Sequence, residues 1–166
     1  MLKNLFFLLS SFVFFACSHD PSVSIQSPDG NTGLKVWVND SSEIVFSVEE
    51  EGEILIPESK IGYAFANAPA AGKNVTVIGS EKTTTNQTWE PVYGERSQIP
   101  DNYQQVTFHL KDNQNSGQEY QMTFRAYNEG IAINTTFLPQ KGKDSLTITR
   151  ELTEFRLNGN YTCWVS

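Results

Sequence analysis

Hydrophobic and polar residues alternate along most of this chain with a period of two, the signature of half-buried strands. Leu34, Val36 and Val38 share one face of a segment whose other face carries Lys35 and Trp37. Val106, Phe108 and Leu110 repeat the pattern. It is sharpest over residues 122–134. Met122, Phe124 and Ala126 fall on one side there, and Thr123, Arg125 and Tyr127 on the other. Asn128-Glu129-Gly130 supplies turn chemistry, because Asn tolerates a left-handed backbone and Gly takes one freely. Ile131, Ile133 and Thr135 then resume the period, so the stretch predicts a β-hairpin. Arg125 reads as a strand arginine with its stem packed and its head in water; the sharper alternative is a site at the sheet's edge.

Further strands are predicted at 23–27, 44–48, 53–57 (closed by Pro57), 75–78 and 146–149. Residues 61–65 are apolar, 81–87 are polar, threonine-rich and compatible with an extended run, and 151–157 fit strand or irregular structure equally. Turn clusters separate these pieces at 28–33, 39–42, 49–52, 67–73 and 112–117. No window holds a helical period over three turns. The prediction is an all-β protein, two antiparallel sheets forming a sandwich.

The 166 residues leave room for one domain with a modest core. A formal net charge of -7, without a basic patch, argues against a nucleic-acid partner. The first seventeen residues change the picture more. Lys3 precedes an apolar run too short to span a bilayer, which ends at Phe15-Ala16-Cys17. That end resembles a bacterial lipoprotein cleavage box, with Phe14 where Leu is usual. Residues 1–17 are therefore expected to be an export signal with Cys17 as the lipidation site, 18–22 a linker, and 23–166 the sandwich. The domain is expected to be exported and either held by the lipid on a bacterial membrane, the outer membrane first, without spanning it, or periplasmic. Cys163 then has no disulfide partner and reads as a small hydrophobe. Two cysteines and two distant histidines make no zinc pattern. Glu49, Glu50 and Glu51 read as a solvated loop tip rather than a metal site.

Five short motifs in order carry a resemblance: Ser-Pro-Asp-Gly at 27–30, Ser-Lys-Ile-Gly at 59–62, Trp-Glu-Pro-Val-Tyr-Gly-Glu at 89–95, Phe-Arg-Ala-Tyr-Asn-Glu-Gly at 124–130, and Glu-Leu-Thr-Glu-Phe at 151–155 followed by Trp164. Together they resemble the N-terminal domain of glycoside hydrolase family 97. The family's hairpin usually has Asp where Glu129 stands, and an Arg-Tyr pair where this chain has Asn134-Thr135. The resemblance implies a super-sandwich of the galactose-mutarotase-like type, packed on a (β/α)8 barrel that hydrolyses α-glucosidic or α-galactosidic bonds with calcium. The sandwich lends that calcium a glutamate. Glu151 is the first candidate here and Glu154 the second; the plainer reading is two charges on an exposed strand. Calcium takes six to eight oxygens, so one glutamate makes a partial site that needs the barrel.

No two carboxylates are paired by any sequence feature for glycoside hydrolysis, and there is no Ser-His-Asp signature or phosphate loop. The family's catalytic carboxylates belong to the barrel. The chain is thus expected to be a non-catalytic accessory domain, ending before the barrel. Two alternatives are a stand-alone carbohydrate-binding lipoprotein for α-linked oligosaccharides, with Trp37, Trp89, Tyr93 and Tyr127 as stacking platforms, and a docking sandwich for a separate barrel chain. The last predicts an exposed apolar patch around Phe155 and Trp164.

Overall fold

The computed structural model describes residues 22–114, 117–139, 142 and 145–162. The signal, Cys17, most of the linker, Cys163 and Trp164 lie outside these residues. Ten strands and no helix occur among the described residues. β1 (Val23–Gln26), β2 (Thr32–Val38), β3 (Ile44–Glu50) and β4 (Glu53–Lys60) form one antiparallel sheet in sequence order. β6 (Val75–Trp89), β7 (Ile99–Asp112), β8 (Glu119–Tyr127) and β9 (Gly130–Phe137) form a second. β5 (Tyr63–Phe65) pairs with β10 (Ile148–Glu151) in a short third sheet.

The alternation explains how the large sheets meet. Leu34 and Val36 from β2 and Phe46 and Val48 from β3 join Val106, Phe108 and Leu110 from β7 and Met122 and Phe124 from β8 in one buried cluster. Phe108 and Phe124 meet edge to face, with centroids 6.1 Å apart. Each such buried side chain stabilises the fold by about 1.5–3 kcal/mol relative to exposure. The expected all-β sandwich is the observed one.

Several local expectations change. Pro57 does not close its strand; β4 runs on to Lys60. β4 is the edge of its sheet, and the register shifts between Val48↔Ile56 and Phe46↔Ser59, so the proline falls at an irregularity where no ladder bond is lost. In the hairpin turn the positive φ (143°) falls on Gly130; Asn128 is not left-handed. Its Oδ1 instead accepts a hydrogen bond from the Asp29 amide at 3.1 Å, tying two turns together across the chain. The polar run after Val75 is one continuous strand through Trp89, with a bulge between Val77 and Gly79.

Gly72 closes the connection between β5 and β6. Its carbonyl accepts from Ile44 N, and its amide donates to the Tyr120 hydroxyl oxygen at 3.1 Å. A Cβ there would sit 2.0 Å from the Ile61 carbonyl oxygen, and its φ is +97°. Phe137 packs on Tyr63, Phe65 and Tyr120, with centroids 5.1–5.7 Å away, and so fastens the small sheet to the second large one.

β6 and β7 outrun their sheet. β8 pairs with β7 only from Gln104 to Lys111, whereas β6 follows β7 out to Trp89↔Ile99. The outer part, from Thr85↔Tyr103 onward, is a two-stranded arm. At its tip Val92 is 99% and Tyr93 90% exposed.

Candidate functional site

The residues after β10 have no regular strand, yet they are fixed. Leu152 N donates to Gly62 O, Glu154 N to Lys60 O and Asn158 N to Leu55 O, at 2.8–3.1 Å. Arg156 N donates to the Ser59 hydroxyl, which itself donates to the Pro57 carbonyl. This tail therefore lies along the side of β4 that β3 leaves free, and satisfies backbone groups an edge strand would expose. Phe155 is 61% exposed but its ring edge touches Phe46, centroids 5.8 Å apart. Leu157, Tyr161 and Ile54 are also exposed, so an apolar surface accompanies the tail.

Under the tail sits a cluster of charges. Glu43, with a side chain 10% exposed, pairs with Lys60 at 2.7 Å and Lys73 at 3.5 Å. The Lys60 hydrogen bond outweighs burial and holds the Glu43 carboxyl below its ordinary range, and Glu43 in turn raises Lys60. Glu154 lies 3.2 Å from Arg156 Nε, a charge contact without hydrogen-bond alignment. A cavity of about 250 Å³ is lined by Glu43, Lys60, Gly72, Lys73, Leu152 and Glu154. Nothing in the sequence pointed to the Glu43 cluster, because Glu43 comes from the β2–β3 connection, Lys60 from the end of β4 and Lys73 from the β5–β6 connection.

The two calcium candidates behave differently. Glu151 ends β10 opposite Tyr63, is exposed, and makes no ion pair among the described residues. Glu154 is half-buried beside cations. No group of three or more His, Cys, Asp or Glu residues that could hold a metal occurs among the described residues. Of the two, Glu151 is the carboxylate without an ion pair among the described residues, able to give one or two oxygens to a site completed from elsewhere; Glu154 faces Arg156, with its Oε2 lacking an aligned hydrogen-bond partner.

The aromatic candidates are not gathered on one surface. Trp37 lies on the outer face of the first sheet with Lys35 Nζ 5.4 Å from its ring. Trp89 and Tyr93 belong to the arm. Tyr127 leans on Tyr103 on the outer face of the second sheet, with centroids 5.0 Å apart and the rings tilted by 54°.

Comparison with known proteins accounts for this architecture. A family model described as Glycosyl-hydrolase 97 N-terminal matches residues 25–166. A retaining alpha-galactosidase of Bacteroides thetaiotaomicron is 23% identical over 165 residues, 99% of this chain and 23% of the relative. A glycoside hydrolase family 97 enzyme of Pseudoalteromonas sp. strain K8, solved with panose, is 27% identical with a TM-score of 0.75 over 82% of this chain and 20% of its own. A beta-arabinopyranosidase gives 25% identity and a TM-score of 0.73 over 81% of this chain and 21% of its own. The chain spans between a fifth and a quarter of the length of these relatives. With the match running from β1 through the tail, this chain belongs to the glycosyl-hydrolase 97 N-terminal family.

Proposed function

We propose that this sandwich is the non-catalytic accessory layer of an α-glycosidase, and that it supports a calcium-dependent active site carried by a (β/α)8 domain in cis. The observation that carries the reading is the family match over residues 25–166, to relatives named as glycosidases that are several times longer. The tail gives it a physical form. It starts from exposed Glu151, and Phe155 and Leu157 further along it are exposed as well. Calcium bound there would neutralise carboxylates gathered at the domain boundary; Glu151 would supply one of them, and the rest would come from the catalytic domain. Substrates would be α-linked galactosides or glucosides, in keeping with the names of the Bacteroides galactosidase and the panose-bound enzyme, though not with that of the beta-arabinopyranosidase.

The test is a chimera in which residues 22–166 replace the matching N-terminal part of the Bacteroides thetaiotaomicron galactosidase. It should hydrolyse an aryl α-galactoside only when calcium is present, and Glu151→Gln should raise the calcium needed for half-maximal rate by about tenfold or more, because ligand charge count tunes calcium affinity and the amide removes one charge. Glu154→Gln should change it little. Hydrolysis by the 166-residue chain alone, or a chimera indifferent to Glu151, would reject the reading.

The exposed apolar residues along the tail also favour a variant of this reading, docking to a separate catalytic chain. We further propose that Cys17 is lipidated and anchors the domain to a bacterial membrane. The apolar run ending at Phe15-Ala16-Cys17 supports this. In a bacterial host, Cys17→Ser should move the protein from the membrane fraction to the soluble one; retention in the membrane fraction would refute the anchor.

A further inference from the structure

The outer face of the second sheet holds an arginine that the accessory role does not use. Arg125 stands on β8, an interior strand between β7 and β9, not at an edge. Its head is not loose in water. Nε donates to Gln105 Oε1 at 2.8 Å, Nη1 donates to the Tyr127 hydroxyl at 3.2 Å, and the guanidinium carbon lies 4.2 Å from the Tyr103 ring centroid. The row behind it is fixed as well. Gln105 Nε2 donates to Thr107 Oγ1, which is 3.2 Å from Thr123 Oγ1. That donation sets which way the Gln105 amide faces, so its carbonyl must point at Arg125.

A guanidinium has five N–H donors. Two are used, and the other three have no partner among the described residues. No carboxylate lies within ion-pair distance among the described residues. Asp101, the nearest acid to influence it, accepts a hydrogen bond from Gln87. Beside the arginine is an open cavity of about 320 Å³ lined by Gln105, Thr123, Arg125, Ala132, Ile133 and Asn134, with no acidic residue. That volume lies at the lower end of the range for small-molecule sites.

We propose that this cavity is a binding site for a small organic carboxylate of monosaccharide size, such as a uronic acid. The chemistry selects that class. A planar fork with free N–H groups matches a carboxylate in bidentate fashion. Its side chain is already ordered by neutral partners, so little rotamer freedom remains to be lost on binding. A neutral sugar would gain most from an aromatic face to stack on, and here the Tyr103 face is covered by Arg125 while Tyr127 leans on Tyr103. Asn134 and Thr123 on the cavity wall offer hydrogen bonds to ring hydroxyls. The inference stands apart from the accessory role and survives its failure, because it needs no second domain.

The experiment is an amide NMR titration of the 166-residue protein with sodium glucuronate, sodium acetate and glucose in parallel. Glucuronate should give saturable shifts confined to residues around Gln105, Thr123 and 132–134. Acetate should bind at least severalfold more weakly, and glucose should not saturate. Arg125→Met should weaken glucuronate at least tenfold with the rest of the spectrum unchanged. Asn134→Asp provides a second variant that keeps the arginine. Asn134 lies diagonal to Arg125 on the same face of neighbouring strands, so the new carboxylate should pair with it and abolish binding while raising thermal stability. The proposal is overturned if glucuronate fails to saturate, if glucose or acetate binds as well as glucuronate, or if a folded Arg125→Met or Asn134→Asp protein binds like the parent.

Discussion

Gly72 is where a single atom matters most. A methyl group there meets the Ile61 carbonyl, which belongs to the backbone and cannot rotate away. Gly72→Ala should therefore cost about 3 kcal/mol or more, from overlap together with a positive φ. Tyr120→Phe removes only the hydroxyl partner of the same glycine amide and should cost about 1–2 kcal/mol; urea denaturation of both variants orders them. The Tyr120 hydroxyl itself is pushed up to about 12 by burial, so it stays protonated at ordinary pH. Glu43 titrates lower. Its carboxyl is held below its ordinary range in the folded state, so the stability it contributes is present above the unfolded value and is lost as pH falls through the folded one. Glu43→Gln should flatten the acid limb of a stability–pH curve below the ordinary glutamate range. An acid limb as steep as the parent's would place that dependence on other carboxylates.

Among the elements, the β6–β7 arm differs from the rest. Beyond Thr85↔Tyr103 it has no third strand, and a two-stranded ribbon is marginal on its own. Its tip residues touch little, so replacing both Val92 and Tyr93 by Ser should change the unfolding free energy by no more than about 0.5 kcal/mol. A larger loss in denaturant unfolding would mean the tip packs on the sandwich. The arm also marks where sequence patterning loses its grip. The hairpin at 122–134 was readable because one face is buried and the other is not, which writes a period of two into residue type. Residues 79–89 are exposed on both sides over much of their length, so their burial imposes no alternation, and only the threonines hinted at an extended chain. Pro57 misled for a related reason. A proline ends a strand that needs its N–H, but β4 is an edge with a register shift at that place. The tail was undecidable because its bonds to β4 skip residues and use the Ser59 side chain, leaving no periodic mark. The Arg125 site was half legible. Arg125 and Tyr127 are two apart on one strand, but Gln105 and Asn134 arrive from neighbouring strands whose register a single sequence does not fix.

At the scale of the molecule, the two large sheets share one core while three kinds of surface face outward: the arm, the polar face around Arg125, and the tail with its acidic and apolar residues. Among the described residues, the tail joins apolar and acidic groups in a way that suits a large protein partner, with Phe155 held against Phe46 yet still more than half open. The same tail has a second effect. The residues that cover β4 follow all ten described strands in sequence, so a ribosome must release those strands before the raw border can be sealed. A protein cut back to Glu151 should keep most of its core yet show a bare ladder of amides and carbonyls, and it should self-associate into dye-binding fibrils far faster than the parent. In this domain the tail would then act as an intramolecular guard against aggregation, supplied only after the strands it protects have been made.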